Sequence, residues 1–153
     1  MQVLEGTKLK MSQVFMEDGR FVPVTLVKTV GGELNVELEN KDVVVSGVSK
    51  GKGFTGVMKK WGFSGQQKTR GQSDRTRHAG SIGSQTPGRV LPGKKMAGRH
   101  GNQQVTIKGL KIVKVDTERG EVMVSGPIPG ARNSKISIKV LEGQKEGREE
   151  DQK

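Results

Sequence analysis

The sequence of 153 residues has no cysteine and no tyrosine, and its aromatic side chains are four Phe and one Trp. The absence of cysteine excludes a disulfide framework and any thiolate metal site. No apolar run approaches the roughly 20 residues that a transmembrane helix requires. The N-terminal residues lack the apolar core of a signal peptide, and their early acidic side chains argue against a transit peptide. We therefore expect a cytoplasmic protein without a membrane-spanning segment, with an organelle location disfavoured.

Acidic residues are nearly missing from the middle of the chain. Residues 50–108 carry thirteen Lys or Arg and one acid, Asp74, which gives a net charge of +12. The flanks are close to neutral, at −2 for residues 1–49 and +1 for residues 109–153. The whole excess of +11 therefore lies in one stretch, which indicates a polyanionic partner, either a nucleic acid or an acidic membrane surface.

Both flanks have the pattern of short β-strands. Apolar and polar residues alternate over 34–38 and 136–140, which predicts strands with one solvated face. Residues 21–30 and 43–48 are rich in β-branched side chains, and turns are predicted at 17–19, 116–120 and 126–130. No long amphipathic helix is predicted. About seven short strands with tight turns favour an antiparallel barrel or sandwich.

The segment between the flanks cannot form a core of its own. Between residues 64 and 89 the only apolar side chains are Ala79 and Ile82. An irregular loop of this length is expected only where it is functional or ordered by a partner. We therefore predict a barrel domain of residues 1–49 and 104–141, a basic insert of residues 50–103, and a disordered polar tail of residues 142–153.

Two phosphate-binding motifs are matched only in part. The run Gly51-Lys-Gly-Phe-Thr-Gly56 fits the dinucleotide fingerprint, but neither a long helix nor a second buried strand follows it. The run Gly88-Arg-Val-Leu-Pro-Gly-Lys-Lys95 is one residue short of a P-loop, since its last position lacks the hydroxyl that binds Mg²⁺. Neither motif favours a nucleotide-hydrolysing enzyme.

The polar residues of the insert do not form a recognisable catalytic or metal-binding set. Ser73, Asp74, His78 and His100 supply one acid and two imidazoles, without paired carboxylates or a cluster of metal ligands. We therefore expect no enzymatic activity, no metal site, no cofactor and no small-molecule substrate. Any structural Mg²⁺ would belong to a bound RNA.

The aromatic side chains of the insert have two interpretations. Trp61, beside Lys59 and Lys60, either stacks on RNA bases or holds the insert together as core. Phe54 and Phe63 are predicted to be core residues, because a chain with few large apolar groups needs them for packing.

A basic, Gly-rich segment is suited to the crevices of a folded RNA. Glycine lets the backbone approach a ligand closely, while Arg and Lys neutralise phosphates and release counterions. No long helix is predicted that could enter the major groove of DNA, which disfavours sequence-specific recognition of DNA by such a helix.

Three blocks of the insert carry a resemblance to a known family. They read Gly51-Lys-Gly-Phe-Thr-Gly-Val-Met-Lys-Lys-Trp-Gly-Phe63, Gly80-Ser-Ile-Gly-Ser-Gln-Thr-Pro-Gly-Arg-Val90 and Gly93-Lys-Lys-Met-Ala-Gly-Arg-His-Gly-Asn102. Together with flanking patterns at 11–25 and 113–130, they closely resemble the bacterial-type universal ribosomal protein L3 family of the large subunit. The chain is similar to a shortened member, with the missing length mainly between Lys28 and Lys50.

The resemblance implies a mainly β fold, a six- to seven-stranded barrel of the translation-protein type with a long basic, largely irregular extension. It implies a structural constituent of the large ribosomal subunit that acts in early assembly. The expected partners are 23S-type large-subunit rRNA and neighbouring ribosomal proteins, and a membrane is not an expected partner. The tip Ser84-Gln85-Thr86-Pro87 would lie toward the peptidyl-transferase centre, and Gln85 matches a glutamine methylated in bacterial members.

The expected RNA contacts are the cations of the insert together with its Trp and His side chains. They are Lys50, Lys52, Lys59, Lys60, Trp61, Lys68, Arg70, Arg75, Arg77, His78, Arg89, Lys94, Lys95, Arg99 and His100. Two rivals stay open at this point: an RNA chaperone that acts outside the ribosome, and an enzyme that binds nucleotides through residues 51–56 or 88–95.

Overall fold

A computed structural model describes residues 2–30, 34–72 and 74–141, and it divides into two compact units. The barrel unit combines Met1–Lys50 with Gln103–Lys153, and the insert unit is Gly51–Asn102. The predicted tail of residues 142–153 lies outside the described residues. No helix in the described ranges is long and apolar enough to cross a membrane.

The barrel unit has six strands, which are β1 Gln2–Phe15, β2 Phe21–Thr29, β3 Asp42–Val48, β6 Gln104–Asp116, β7 Glu121–Ser125 and β8 Lys135–Val140. They form a closed antiparallel barrel in the order β1-β2-β7-β6-β3-β8. The insert unit contains β4 Gly53–Thr55, α1 Val57–Trp61 and β5 Gly98–His100. The predicted mainly β fold with a small six- to seven-stranded barrel is confirmed.

Two long strands let six strands close the barrel. The first part of β1 pairs with β8 and its second part with β2, and a register shift separates Lys8 from Met11. In the same way β6 pairs first with β3 and then with β7, with irregularities along both pairings. Bulges of this kind bend a strand and increase its twist, so each long strand serves two sides of the barrel.

Close approach of β1 and β2 depends on Gly6. A Cβ atom at Gly6 would lie 2.7 Å from the carbonyl oxygen of Lys28 and 2.8 Å from a methyl of Val27. Gly6 pairs with Thr29 on β2 and with Ile136 on β8, so it occupies the position where β1 contacts both neighbours. Glycine is therefore required there for space, since its φ does not lie in the left-handed region.

The barrel is filled by apolar side chains at alternate positions along its strands. Along β8, Ile136, Ile138 and Val140 point inward, as their alternation predicts. The core cluster consists of Leu4, Val27, Leu38, Val43, Val45, Ile112, Val115, Val122, Val124, Ile128, Ile136, Ile138 and Val140. The hairpin turns predicted near residues 17–19 and 116–120 are also present, with Gly19 at φ 76° and Gly120 at φ 65°.

The strand predicted over residues 34–38 is wrong. Val36–Leu38 form a single 3-10 turn, in which Leu38 N–H donates to Asn35 and the N–H of Glu39 donates to Val36. Leu38 fills the core, whereas Val36 is 62% exposed. The Glu39 carboxylate accepts the Val115 N–H of β6 at 3.0 Å. Leu34 also packs against the core, so the apolar positions of this segment reflect two leucines that contact the barrel from a turn.

The chain leaves and re-enters the barrel unit at adjacent positions. Val48 at the end of β3 pairs with Gln104 at the start of β6. Beyond that pair, the Ser49 N–H donates to the Gln103 carbonyl at 2.9 Å. An insertion between these two strands therefore starts and ends side by side.

Candidate nucleic-acid interface

A two-stranded sheet and one short helix form the framework of the insert unit. In the sheet, Gly53 pairs with His100, Phe54 with Arg99 and Thr55 with Gly98. The helix α1 ends at Gly62, which adopts φ 74° and donates its N–H to the Met58 carbonyl at 2.9 Å. The buried side chains described in this unit are Thr55 and Val57, each 6% exposed. The unit therefore has almost no apolar core.

Trp61 connects the end of α1 to the segment just before β5. Its indole N–H donates to the Met96 carbonyl at 2.8 Å. The ammonium groups of Lys60 and Lys95 lie 5.1 Å and 5.8 Å from the ring centroid, within the range of cation–π attraction. Trp61 is still 41% exposed, so it holds the insert unit together while keeping part of its surface open. Its role as an RNA contact stays a prediction.

The loop after α1 is held by backbone contacts. The Gln66 N–H donates to the Thr76 carbonyl at 3.1 Å, and the Gln72 carboxamide donates to that of Gln66 at 2.6 Å. Gly65 precedes this contact with φ 75°, and a Cβ there would lie 2.7 Å from the Thr76 oxygen. Hydrogen bonds and a glycine thus replace the side-chain packing that the composition cannot supply.

The tip predicted from the resemblance is fully exposed. Residues 80–91 are all exposed, and the Gly88 N–H donates to the Gln85 carbonyl at 3.0 Å to close a turn. The Ser81 hydroxyl donates to the Gly83 carbonyl at 3.1 Å. Within the described residues, the Gln85 side-chain carboxamide has no hydrogen-bond partner. Ser84, Thr86 and Pro87 flank it, so the turn presents Gln85 to whatever binds there.

Most of the predicted RNA contacts have exposed side chains. Lys60 and His100 are half-buried, and the other predicted residues are exposed. Lys50 belongs to the barrel unit. The ion pair found in the described residues, Arg119 with Asp116 at 3.7 Å, also lies in the barrel unit. The cations of the insert unit are therefore not neutralised by its own described acids, which favours an external polyanion.

Phe54 is not a core residue, contrary to the sequence-based prediction. It is 80% exposed, the largest value among the exposed apolar side chains of the described chain. Strand alternation in β4 turns Thr55 inward and Phe54 outward, and the insert unit has no second layer to cover that face. Phe63 is half-buried. No pattern in the sequence indicates this exposure, because Phe54 is a single apolar residue among Gly, Lys and Thr and therefore has no periodicity.

The two partial phosphate motifs do not form nucleotide-binding structures. Gly53–Thr55 is an antiparallel strand, and the helix that follows has only five residues. A dinucleotide site requires a longer helix and a parallel sheet. At the second motif, the Lys94 N–H is directed to the Leu91 carbonyl at 3.3 Å. Ser73 lies outside the described residues, and those residues hold no group of three or more His, Asp or Glu placed for a metal.

The fold and charge distribution define a class of protein: a small closed β-barrel that carries a basic, Gly-rich, largely irregular insertion. The family model described as "Ribosomal protein L3" matches residues 25–128. That range contains the whole insert unit, the strands β3, β6 and β7, and part of β2. The chain belongs to the ribosomal protein L3 family.

Similar curated proteins carry the name "Large ribosomal subunit protein uL3". The protein of Pasteurella multocida is 50% identical over 114 residues, covering 72% of this chain and 54% of that protein. The protein of Haemophilus ducreyi is 42% identical over 155 residues, covering 90% of this chain and 74% of that protein. For Histophilus somni the values are 51% over 114 residues, 72% and 55%. The chain thus spans about half the length of two of these relatives.

Proposed function

We propose that this chain is a structural constituent of the large ribosomal subunit. The observation that carries the proposal is the family match across the basic insert. The relatives at 42–51% identity are named as large-subunit proteins. The proposed role is a binding role without catalytic residues, in which the barrel supports the insert and the insert contacts RNA.

The proposed partner of the insert is large-subunit rRNA of the 23S type. The exposed cations of residues 50–103 would neutralise phosphates, and the glycines would let the backbone lie close to RNA. Support comes from the excess of exposed cations over the single acid Asp74 in residues 51–102 and from the insert unit's lack of an apolar core. Neighbouring large-subunit proteins are the further proposed partners, with the ribosome-bound state located in the cytoplasm.

We further infer a position for the insert tip and a role in assembly, both carried over from the family. The turn Ser84-Gln85-Thr86-Pro87 would reach toward the peptidyl-transferase centre and brace the RNA there. A protein that orders such a long segment on RNA suits early assembly, because the segment needs RNA before that RNA is enclosed. The exposed Gln85 carboxamide is the proposed methylation site.

The test is the stoichiometry of the chain on ribosomal subunits. A tagged chain is expressed in a bacterial host and subunits are separated on sucrose gradients in high salt. We expect one copy per large subunit and none on the small subunit. Release of the chain into the soluble fraction at high salt would instead support an RNA chaperone that acts outside the ribosome.

A further inference from the structure

Phe54 exposes a flat apolar surface that its own unit leaves uncovered. The ring is 80% exposed, although the chain has only five aromatic side chains. Phe54 lies in the middle of β4, and its cross-strand partner on β5 is Arg99. Directly paired residues of antiparallel strands project from the same face of the sheet. An exposed phenyl ring and an exposed guanidinium therefore stand side by side.

The opposite face of the β4–β5 sheet explains why the Phe54 side chain is exposed. Thr55, the next residue on β4, is 6% exposed, and its hydroxyl is buried without a hydrogen-bond partner in the described residues. Val57 at the start of α1 is equally buried. The single packed layer of the insert unit is therefore on the Thr55 side. No rotation of the Phe54 side chain alone would bring it into that layer, because alternate residues of a strand face opposite ways.

The two exposed aromatic rings of the insert unit differ in what covers them. Two ammonium groups lie near the Trp61 ring, and its indole N–H is already bonded to the Met96 carbonyl. At Phe54, by contrast, the described residues place no cation over the ring. Its faces remain open for stacking, while Arg99 projects from the same face of the sheet, where its guanidinium is available to a phosphate.

The charges around the Phe54 ring indicate which class of partner would bind there. Exposed aromatic side chains also lie at the β1–β2 hairpin, where Phe15 pairs with Phe21 and the two are 71% and 65% exposed. The turn of that hairpin carries Glu17 and Asp18 against one cation, Arg20, so its net charge of −1 does not favour phosphate. The surroundings of Phe54 are cationic instead, because Asp74 is the only acid in residues 51–102. RNA is therefore attracted to Phe54 and is not attracted to the hairpin.

We propose that Phe54 and Arg99 form a stacking platform for one unpaired nucleotide of RNA. The base lies against the phenyl ring, and the Arg99 guanidinium neutralises the phosphate of that nucleotide. This proposal rests on the RNA-binding role proposed above and assigns a defined nucleotide contact to it. Stacking on an aromatic ring tolerates any base, so the platform selects an unstacked nucleotide without selecting its sequence.

The test compares variants of the full chain binding to in vitro transcribed large-subunit rRNA. Phe54→Leu keeps an apolar side chain and removes the aromatic face, whereas Phe54→Tyr keeps the face. We expect Phe54→Leu to weaken binding between about 5-fold and about 150-fold, the range for loss of one stacked base, and Phe54→Tyr to bind like the original chain. The salt dependence should be unchanged in both, because neither variant alters charge.

Two further measurements separate the platform from a general effect. Arg99→Gln should reduce the slope of log affinity against log salt by about 0.7–0.9, as expected when one phosphate is no longer neutralised. Ultraviolet crosslinking followed by mass spectrometry should give a nucleotide adduct on the peptide that contains Phe54. Phe15→Leu is the matched control, because that ring is similarly exposed and lies beside acids. It should bind RNA normally.

The outcomes distinguish the platform from the proposed function. If Phe54→Leu binds RNA as tightly as the original chain while the removal of other insert cations weakens binding, the platform is overturned and the RNA-binding role stands. An equal loss with Phe15→Leu, or a Phe54→Leu variant that binds RNA normally but fails to join a neighbouring protein, also overturns it. If the original chain does not bind the RNA at all, the proposed function fails first.

Discussion

The side-chain ammonium of Lys8 donates a hydrogen bond to the backbone carbonyl of Ile128, 2.7 Å away and 120 residues later in the chain. A second bond reaches the Gly130 carbonyl at 3.0 Å. The backbone of Lys8 also bonds to the same connection, accepting from Asn133 at 2.7 Å and donating to Ser134 at 3.0 Å. One residue of β1 therefore fixes the loop that joins β7 to β8, and with it the strand that closes the barrel.

Replacing Lys8 by Met should destabilise the barrel. Lys8→Met keeps an unbranched apolar stem but leaves two carbonyls without their charged donor. We expect a loss of about 1–3 kcal/mol in the free energy of unfolding, measured by thermal or denaturant unfolding. Lys10→Met is the matched control, because Lys10 is exposed on the same strand. Equal stability of the two variants would show that the Lys8 bonds contribute nothing.

The stability that depends on Lys8 should change with pH in a defined direction. Burial first, and then the nearby charge of Lys50, lower the pKa of Lys8 below its ordinary 10.5. Between the lowered pKa and 10.5 the unfolded chain binds more protons than the folded chain, so stability rises with pH. This gain is fully present above 10.5 and is lost as the pH falls through the folded pKa.

The measurement is the difference in unfolding midpoint between the original chain and Lys8→Met, followed from neutral pH to above 10.5. We expect this difference to grow with pH, since the stability that depends on the lowered pKa of Lys8 rises with pH. Comparison with the variant cancels the titration of the other lysines. Lys50→Met removes one cause of the lowered pKa and should reduce the growth. A difference that stays constant or shrinks across this window would contradict the assignment.

Replacing Ile138 by Asp should unfold the barrel. Ile138 is fully buried, and it pairs with Leu4 on β1 and Val45 on β3, so a carboxylate there has no solvent and no cation. We expect a loss of about 4 kcal/mol or more, enough to remove the cooperative transition seen by circular dichroism. The next residue supplies the control, since Lys139→Asp places the same carboxylate on the exposed face of β8. A folded Ile138→Asp barrel would refute the assigned core.

Local features of the fold are predictable from sequence, and long-range ones are not. The alternation at Ile136, Ile138 and Val140 and the glycine turn at Gly19 depend on neighbouring residues, and both predictions are confirmed. The strand order and the two bent strands depend on pairings between distant segments, which a periodicity does not contain. Residues 34–38 alternate like a strand, yet the closed barrel has no free edge to pair with them.

At the candidate interface, too, one feature is predictable from sequence and another is not. Charge counting locates the basic insert, because net charge needs no knowledge of structure. The prediction of Phe54 as core is wrong, since a scarcity of large apolar residues does not make each of them a core residue. The insert unit has almost no apolar core that Phe54 could join. Its exposure is set by the alternation along β4, which turns Thr55 inward and Phe54 outward.

Gln85 should carry a methyl group on its side-chain amide in protein from its native source. The carboxamide is exposed in a turn closed by the Gly88 N–H, which gives a modifying enzyme access to it. Mass spectrometry of native subunits should show the mass of one methyl group on the peptide containing Gln85. Gln66 is the internal control, because its carboxamide oxygen already accepts a hydrogen bond from Gln72. An unmodified Gln85 in native protein would refute this prediction.

Removing four exposed cations of the insert should weaken RNA binding without changing barrel stability. The chain with Arg75, Arg77, Lys94 and Lys95 replaced by Ala loses four charges that its described acids do not neutralise. Affinity for large-subunit rRNA should fall at moderate salt. The slope of log affinity against log salt should decrease by about 0.7–0.9 for each phosphate that the variant no longer neutralises. The unfolding midpoint of the barrel should be unchanged.

The matched control removes the same charge from the barrel. Lys111, Lys114, Lys135 and Lys139 are exposed on barrel strands, and their replacement by Ala changes the net charge equally. If the location of charge matters more than its total, this variant should retain a steeper salt dependence and a higher affinity than the insert variant. Equal losses of affinity would show that RNA responds only to net charge. A lowered barrel midpoint in the insert variant would instead show that the two units are coupled in stability.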